Sequence, residues 1–105
     1  MSRYAFSGRA KELIDRASNG EAHDVDYIVG QLTPDVTLST TRFVDYALSL
    51  VESETGIQRI EHHLFNGAQI QRNYCSLFFG RRGDWDVVER AYKQGLIDEI
   101  QAYAR

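Results

Sequence analysis

Cross-linking and rigidifying residues are scarce in this chain. Its 105 residues include a single cysteine, Cys75, which excludes an internal disulfide and points to a reducing, cytoplasmic setting. One proline and eight glycines exclude collagen-like, proline-rich and linker-dominated architectures. No stretch approaches the ~18 consecutive apolar residues of a membrane span. The opening Met1-Ser2-Arg3-Tyr4 lacks the apolar core of a secretion signal, so no membrane partner is expected. Positive charge is in deficit: fifteen acids against twelve bases give −3, the wrong sign for a generic nucleic-acid binder. Phosphate-cradling Gly-x-Gly-x-x-Gly and Walker loops are missing, and so is the Gly-x-Ser-x-Gly elbow of hydrolases.

What is present reads as one globular domain over residues 1–105, with 43% hydrophobic and 26% charged residues. Apolar spacing is helical nearly throughout. Tyr4, Leu13, Ile14 and Ala17 predict a first helix ending at Asn19-Gly20, and Val25, Tyr27, Ile28, Val29 and Leu32 a short second one. Phe43, Tyr46, Ala47, Leu50 and Val51 fall at i, i+3, i+4, i+7 and i+8 and predict one buried helix face. Ile57, Ile60 and Leu64 form the next stripe, followed by Ile70, Tyr74, Leu77 and Phe78. Val87, Val88, Ala91 and Tyr92 repeat the theme, and Leu96, Ile97, Ile100, Tyr103 and Ala104 close the chain.

The punctuation agrees with helices. Gly20, Gly67 and Gly95 each follow an amphipathic stretch, where a left-handed glycine closes the last turn, and Gly83 ends the helix before Asp84. Asn19-Gly20 and Asn66-Gly67 also fit two-residue hairpins, but their flanks lack the strict alternation that strands need. Thr33-Pro34-Asp35 has the form of an N-cap, a first-turn proline and a first-turn acid, with Ser39 or Thr40 as a later start. The expectation is all-α, with six or seven short amphipathic helices.

Aligned on their glycines, the helices show weak self-similarity: Ala17 and Leu13, Leu64 and Ile60, and Tyr92 and Val88 sit three and seven residues before Gly20, Gly67 and Gly95. The separations of these glycines, 47 and 28, are unequal and give no strict period. The segment from Gln69 to Ala91 resembles one unit of the bacterial HEAT-like repeat proteins. Phe79-Gly80-Arg81-Arg82-Gly83-Asp84 matches their Leu-Gly-Arg-x-Gly-Asp corner, and Val87-Val88-Glu89-Arg90-Ala91 the Ala-Val-x-x-Leu helix that follows. The chain departs from that pattern by placing aromatic residues where alanines usually pack. The resemblance implies an α-solenoid fragment, a binding scaffold rather than a chemistry. A compact irregular helical bundle is the alternative.

Chemistry-bearing clusters are thin. Glu61, His62 and His63 are neighbours, whereas a helical metal pair needs i, i+4 spacing, so no metal is expected. Cys75 sits mid-helix with no basic partner in sequence and reads as a small buried hydrophobe. The i, i+2 carboxylate pairs Asp24/Asp26, Glu52/Glu54 and Asp84/Asp86 diverge on a helix rather than converge on a pocket. No catalytic residue and no cofactor are assigned, and the chain is read as a non-enzyme.

Charge is unevenly spread. Residues 21–61 carry eight acids (Glu21, Asp24, Asp26, Asp35, Asp45, Glu52, Glu54 and Glu61) against Arg42 and Arg59, a local −6, while Arg72, Arg81 and Arg82 form a basic cluster. Internal neutralisation and a docking face both account for such a pattern. Trp85, Tyr92, Phe79 and Tyr4 are candidate exposed anchors, with core packing the competing fate for each. The first reading is a helical protein–protein interaction module, such as a small regulator or inhibitor of a larger complex. It would bind another protein through Arg72, Arg81, Arg82, Trp85 and Tyr92. The alternative is nucleic-acid binding through the basic corner at residues 72–82. Apolar surface left over by so many short helices is compatible with a homodimer.

Overall fold

The structure is a computed structural model that describes residues 8–103. Among these residues the fold is all-α, with seven helices and no strand: α1 (Gly8–Asn19), α2 (Ala22–Val29), α3 (Leu38–Ser49), α4 (Glu54–Asn66), α5 (Gln69–Arg82), α6 (Trp85–Lys93) and α7 (Glu99–Tyr103). Tyr4 lies outside the described residues, as does Ala104.

Local signals account for most boundaries. Ser53 caps α4 by accepting a hydrogen bond from Gly56 N at 3.1 Å, and Thr37 caps α3 by accepting one from Thr40 N at 3.2 Å. Gln71 reaches back to accept from Ala68 N at 2.9 Å, satisfying a donor at the start of α5. At the end of α5, Gly83 has φ +77°, and Asp84 N and Gly83 N donate to the carbonyls of Phe79 and Gly80. That is the left-handed closure expected where a chain turns sharply into the next helix.

Helix packing links partners one or two places apart in the chain. α1, α3, α5 and α7 form one row, and α2, α4 and α6 a second row laid against it. A single core of 19 buried hydrophobic residues runs between the rows, from Leu13 and Val25 through Ile60 and Phe79 to Val88 and Ile97. α5 contacts α3, α4, α6 and α7, so its burial spreads beyond one stripe. Cys75, Phe78 and Phe79 are buried there, while Ile70 and Tyr74 pack half-buried at the core's edge.

Several expectations from the sequence are corrected. Thr33-Pro34-Asp35 does not open a helix. Val36 N donates to Thr33 O in a turn, and α3 starts only after Thr37. Proline at the second place of such a turn is as well matched to its fixed φ as at a helix start. Gly67 closes α4 with φ −79°, outside the left-handed region, unlike Gly20 and Gly95 at +71° and +74°. Leu96 and Ile97 lie in the loop before α7, where Asp98 accepts from Gln101 N at 2.8 Å. Phe43 and Tyr46 are exposed, because α3 offers two apolar stripes and the core takes the aliphatic one, Val44, Ala47, Leu48 and Val51. Phe79, a candidate surface anchor, is buried.

Candidate functional site

The five residues marked as a contact surface separate into two groups. Arg72 belongs to the framework: its Nε donates to Leu96 O at 2.7 Å and its Nη1 to Gly67 O at 2.8 Å, tying the α6–α7 loop to the α4–α5 turn. Arg81 reaches across to α3 and pairs with Asp45 at 2.7 Å. Arg82 pairs with Asp84 at 3.1 Å and lies over the Phe78 ring, 5.3 Å from its centre. The fold therefore brings acids onto the basic corner that the sequence shows without them.

The acidic mid-section is met in the same way. On α2, Asp26 receives both Nε and Nη2 of Arg59 from α4, at 2.6 and 3.1 Å, and its Oδ1 lies 2.7 Å from His63 Nε2. The Arg59 guanidinium holds the Asp26 carboxyl below its ordinary value, reinforced by His63 and opposed by partial desolvation. Asp24, buried at the start of α2, accepts from Glu21 N and faces Arg16 at 3.4 Å. Glu61 meets Arg90 at 3.3 Å, with that guanidinium 5.0 Å over Phe65. Asp24, Asp26, Asp45 and Glu61 are thus neutralised from elsewhere in the chain.

Trp85 and Tyr92 form the second group, and the structure brings them together. They lie one face of α6 apart in two turns, 36% and 39% exposed, and Tyr103 of α7, 67% exposed, closes the opposite wall. The three rings, with Val88, Glu89, Lys93 and Ala102, line a groove of about 320 Å³ between α6 and α7. Its floor is apolar, and its charged rim is a Glu89–Lys93 pair at 2.8 Å. Ile100, 77% exposed on α7, extends the apolar surface. Glu89 and Lys93 were not read as contact residues from sequence, and Tyr103 was read only as part of the closing apolar stripe, although Trp85, Glu89, Tyr92 and Lys93 fall at i, i+4, i+7 and i+8 on one ridge.

Elsewhere the chemistry is quiet. Burial pushes the Cys75 thiol up to about 12, so it is inert as a nucleophile near neutral pH. His63 is committed to Asp26 and His62 is exposed, and no group of three or more His, Cys, Asp or Glu among the described residues is placed to hold a metal ion. An open cleft of about 500 Å³ beside α1 and α2 is lined by both signs of charge, including the Lys11–Asp15 pair at 2.6 Å. Glu12 there accepts from the Tyr27 hydroxyl. No helix among the described residues is long and apolar enough to cross a membrane. Comparison with protein-family models, curated proteins and solved structures finds no match.

Proposed function

We propose that this chain is a non-enzymatic helical interaction module that grips another protein in the groove between α6 and α7. The observation that carries the reading is the convergence of Trp85, Tyr92 and Tyr103 on one concave surface with a charged rim. Rigid aromatic side chains in a partly desolvated pocket are the groups from which binding free energy is drawn most often. Grouped exposed apolar surface of this kind marks contact sites, whereas scattered exposed hydrophobes do not.

The arrangement of helices supports the same reading. Two rows with contacts confined to near neighbours provide a scaffold that presents surface along its length and at its ends. The α5–corner–α6 segment, whose sequence resembles a HEAT-like unit, forms the wall that carries Trp85 and Tyr92. Arg81 and Arg82 flank this wall as secondary contacts whose present acidic partners would have to be exchanged. A small regulator or inhibitor of a larger complex, working in the cytoplasm, fits a module of this size.

The test is affinity capture with the tagged chain against the double variant Trp85→Ala/Tyr92→Ala. Loss of an aromatic anchor costs ~2 kcal/mol or more, about 30-fold in affinity, so a specific co-purifying protein should disappear with the variant. Circular dichroism should be unchanged, since both side chains lie at the rim of the core. Equal capture by the variant, or capture of nucleic acid that washes off steeply with salt, overturns the proposal.

A further inference from the structure

We infer that α7 is a strap that leaves the body of the fold on its own, so that the groove between α6 and α7 exists only while the strap is docked. The opening rests on the contacts of α7 alone, and its bearing on binding rests on the reading of that groove as the contact surface. Ala102 and Tyr103 supply the α7 side of the groove, and both leave with α7.

The loop before α7 is held more firmly than α7 itself. Ile97 is buried in the core, and Arg72 Nε donates to Leu96 O at 2.7 Å. Within the helix Ala102 is buried, whereas Ile100 and Tyr103 are exposed. One methyl group supplies little of the apolar burial that seats a helix on a core. Clefts run along both flanks of α7: the groove of about 320 Å³ against α6, and a second of about 250 Å³ against α5.

The surface beneath α7 is also poorly suited to hold it. On α5, Ser76 is buried, and its hydroxyl donates to Gln101 O across 3.3 Å, long for a hydroxyl donor. Asn73 lines the second cleft beside Gln101, and its Oδ1 is buried with no hydrogen-bond partner among the described residues. Gln101 does not relieve it, because its side-chain amide faces the Asp98 carboxylate. A covered acceptor left unpaired disfavours the closed state by a factor of roughly 5–100. Undocking lets water reach Asn73, which offsets part of the lost burial of Ala102. A five-residue helix is unstable by itself in water, so α7 melts as it leaves and its amides exchange.

Amide hydrogen exchange in the full chain, read residue by residue by NMR, tests the strap. Gln101 N and Ala102 N donate to Asp98 and report the docked state. Their protection should be at least ~100-fold below that of Cys75 and Phe79 in α5. Asn73→Leu keeps the bulk of the side chain and removes the acceptor, so it should slow exchange at Gln101 and Ala102 at least ~5-fold. Ala102→Gly removes the buried methyl and should speed exchange at Gln101 while leaving α1 to α4 unchanged. Circular dichroism checks that both variants stay folded. Equal protection of α7 and α5 overturns the inference, since α7 would then open only with the whole fold. Exchange in α7 that is indifferent to Asn73→Leu overturns it too. If α7 opens alone while Trp85→Ala/Tyr92→Ala captures as well as wild type, the strap stands and the groove as a contact surface falls. If that variant loses its co-purifying protein while α7 exchanges only with global unfolding, the groove stands and the strap falls.

Discussion

Gly56 gives the sharpest test of the packing, because the sign of the effect depends on a close approach of two turns. In an open helix position, replacing glycine by alanine stabilises by about 1 kcal/mol through backbone entropy. Gly56 is not open. A Cβ there would lie 2.6 Å from Val51 Cγ1, 2.7 Å from Ser53 Oγ and 2.9 Å from the carbonyl oxygen of Gly20. That carbonyl already accepts from Ser53 Oγ at 2.6 Å, which pins the α1–α2 turn to the start of α4. Relief must come from backbone or from the capping serine. Overpacking costs ~1–3 kcal/mol and a lost N-cap about 1. After the propensity gain, Gly56→Ala should destabilise by about 2 kcal/mol, lowering Tm by roughly 8–16 °C for a domain of this size. Thermal unfolding followed at 222 nm measures it. Gly95→Ala provides the contrast, since nothing lies within 4 Å of its Cβ position and only the left-handed φ of +74° opposes the change. A rise in Tm for Gly56→Ala would refute the claimed contact between the turns.

Arg72→Met should cost about 2–4 kcal/mol, since two hydrogen bonds from a charged group to part-buried carbonyls are lost. A urea midpoint within 0.3 M of wild type would show that Arg72 is not the tie described. The Asp26 carboxyl is held below its ordinary value, chiefly by the Arg59 guanidinium. Its contribution is therefore complete above the unfolded value of about 3.9 and drains away as pH falls below it. Asp26→Asn should destabilise at pH 7 by an amount that shrinks as pH falls through the carboxylate range, and parallel stability–pH curves would count against the cluster. Cys75, raised from 9.0 to about 12, should carry on the order of 10³-fold less thiolate than a free thiol near pH 8. Alkylation should then wait on unfolding, and fast labelling of native protein would contradict its burial.

The parts of this fold that were legible in sequence are those set locally. Glycine-stopped helices, the corner at Gly83-Asp84 and the separation of helical stripes depend on residues within about a turn of each other. The face of α3 was not local information. Phe43, Tyr46, Leu50 and Val44, Leu48, Val51 are both apolar stripes, and only packing against α1, α2 and α5 selects the second. Electrostatics misled for the same reason. Asp26 finds Arg59 at a separation of 33 residues and Arg81 finds Asp45 at 36, so a charge count along the chain misses the pairs that the fold makes.

Internal satisfaction also decides which candidate residues are left to meet another molecule. The arginines that looked like a docking cluster are engaged with carbonyls and carboxylates of their own chain, and exchanging those partners for external ones gains little, because desolvation and pairing are already in place. Aromatic side chains at a groove differ. Their exposed area is unfavourable in water, so covering it gains free energy whatever the salt concentration. α6 carries one broad apolar face: Val88 and Ala91 are buried in the core, while Trp85 and Tyr92 lie along the margin of that face, part-exposed, and form the wall of the groove.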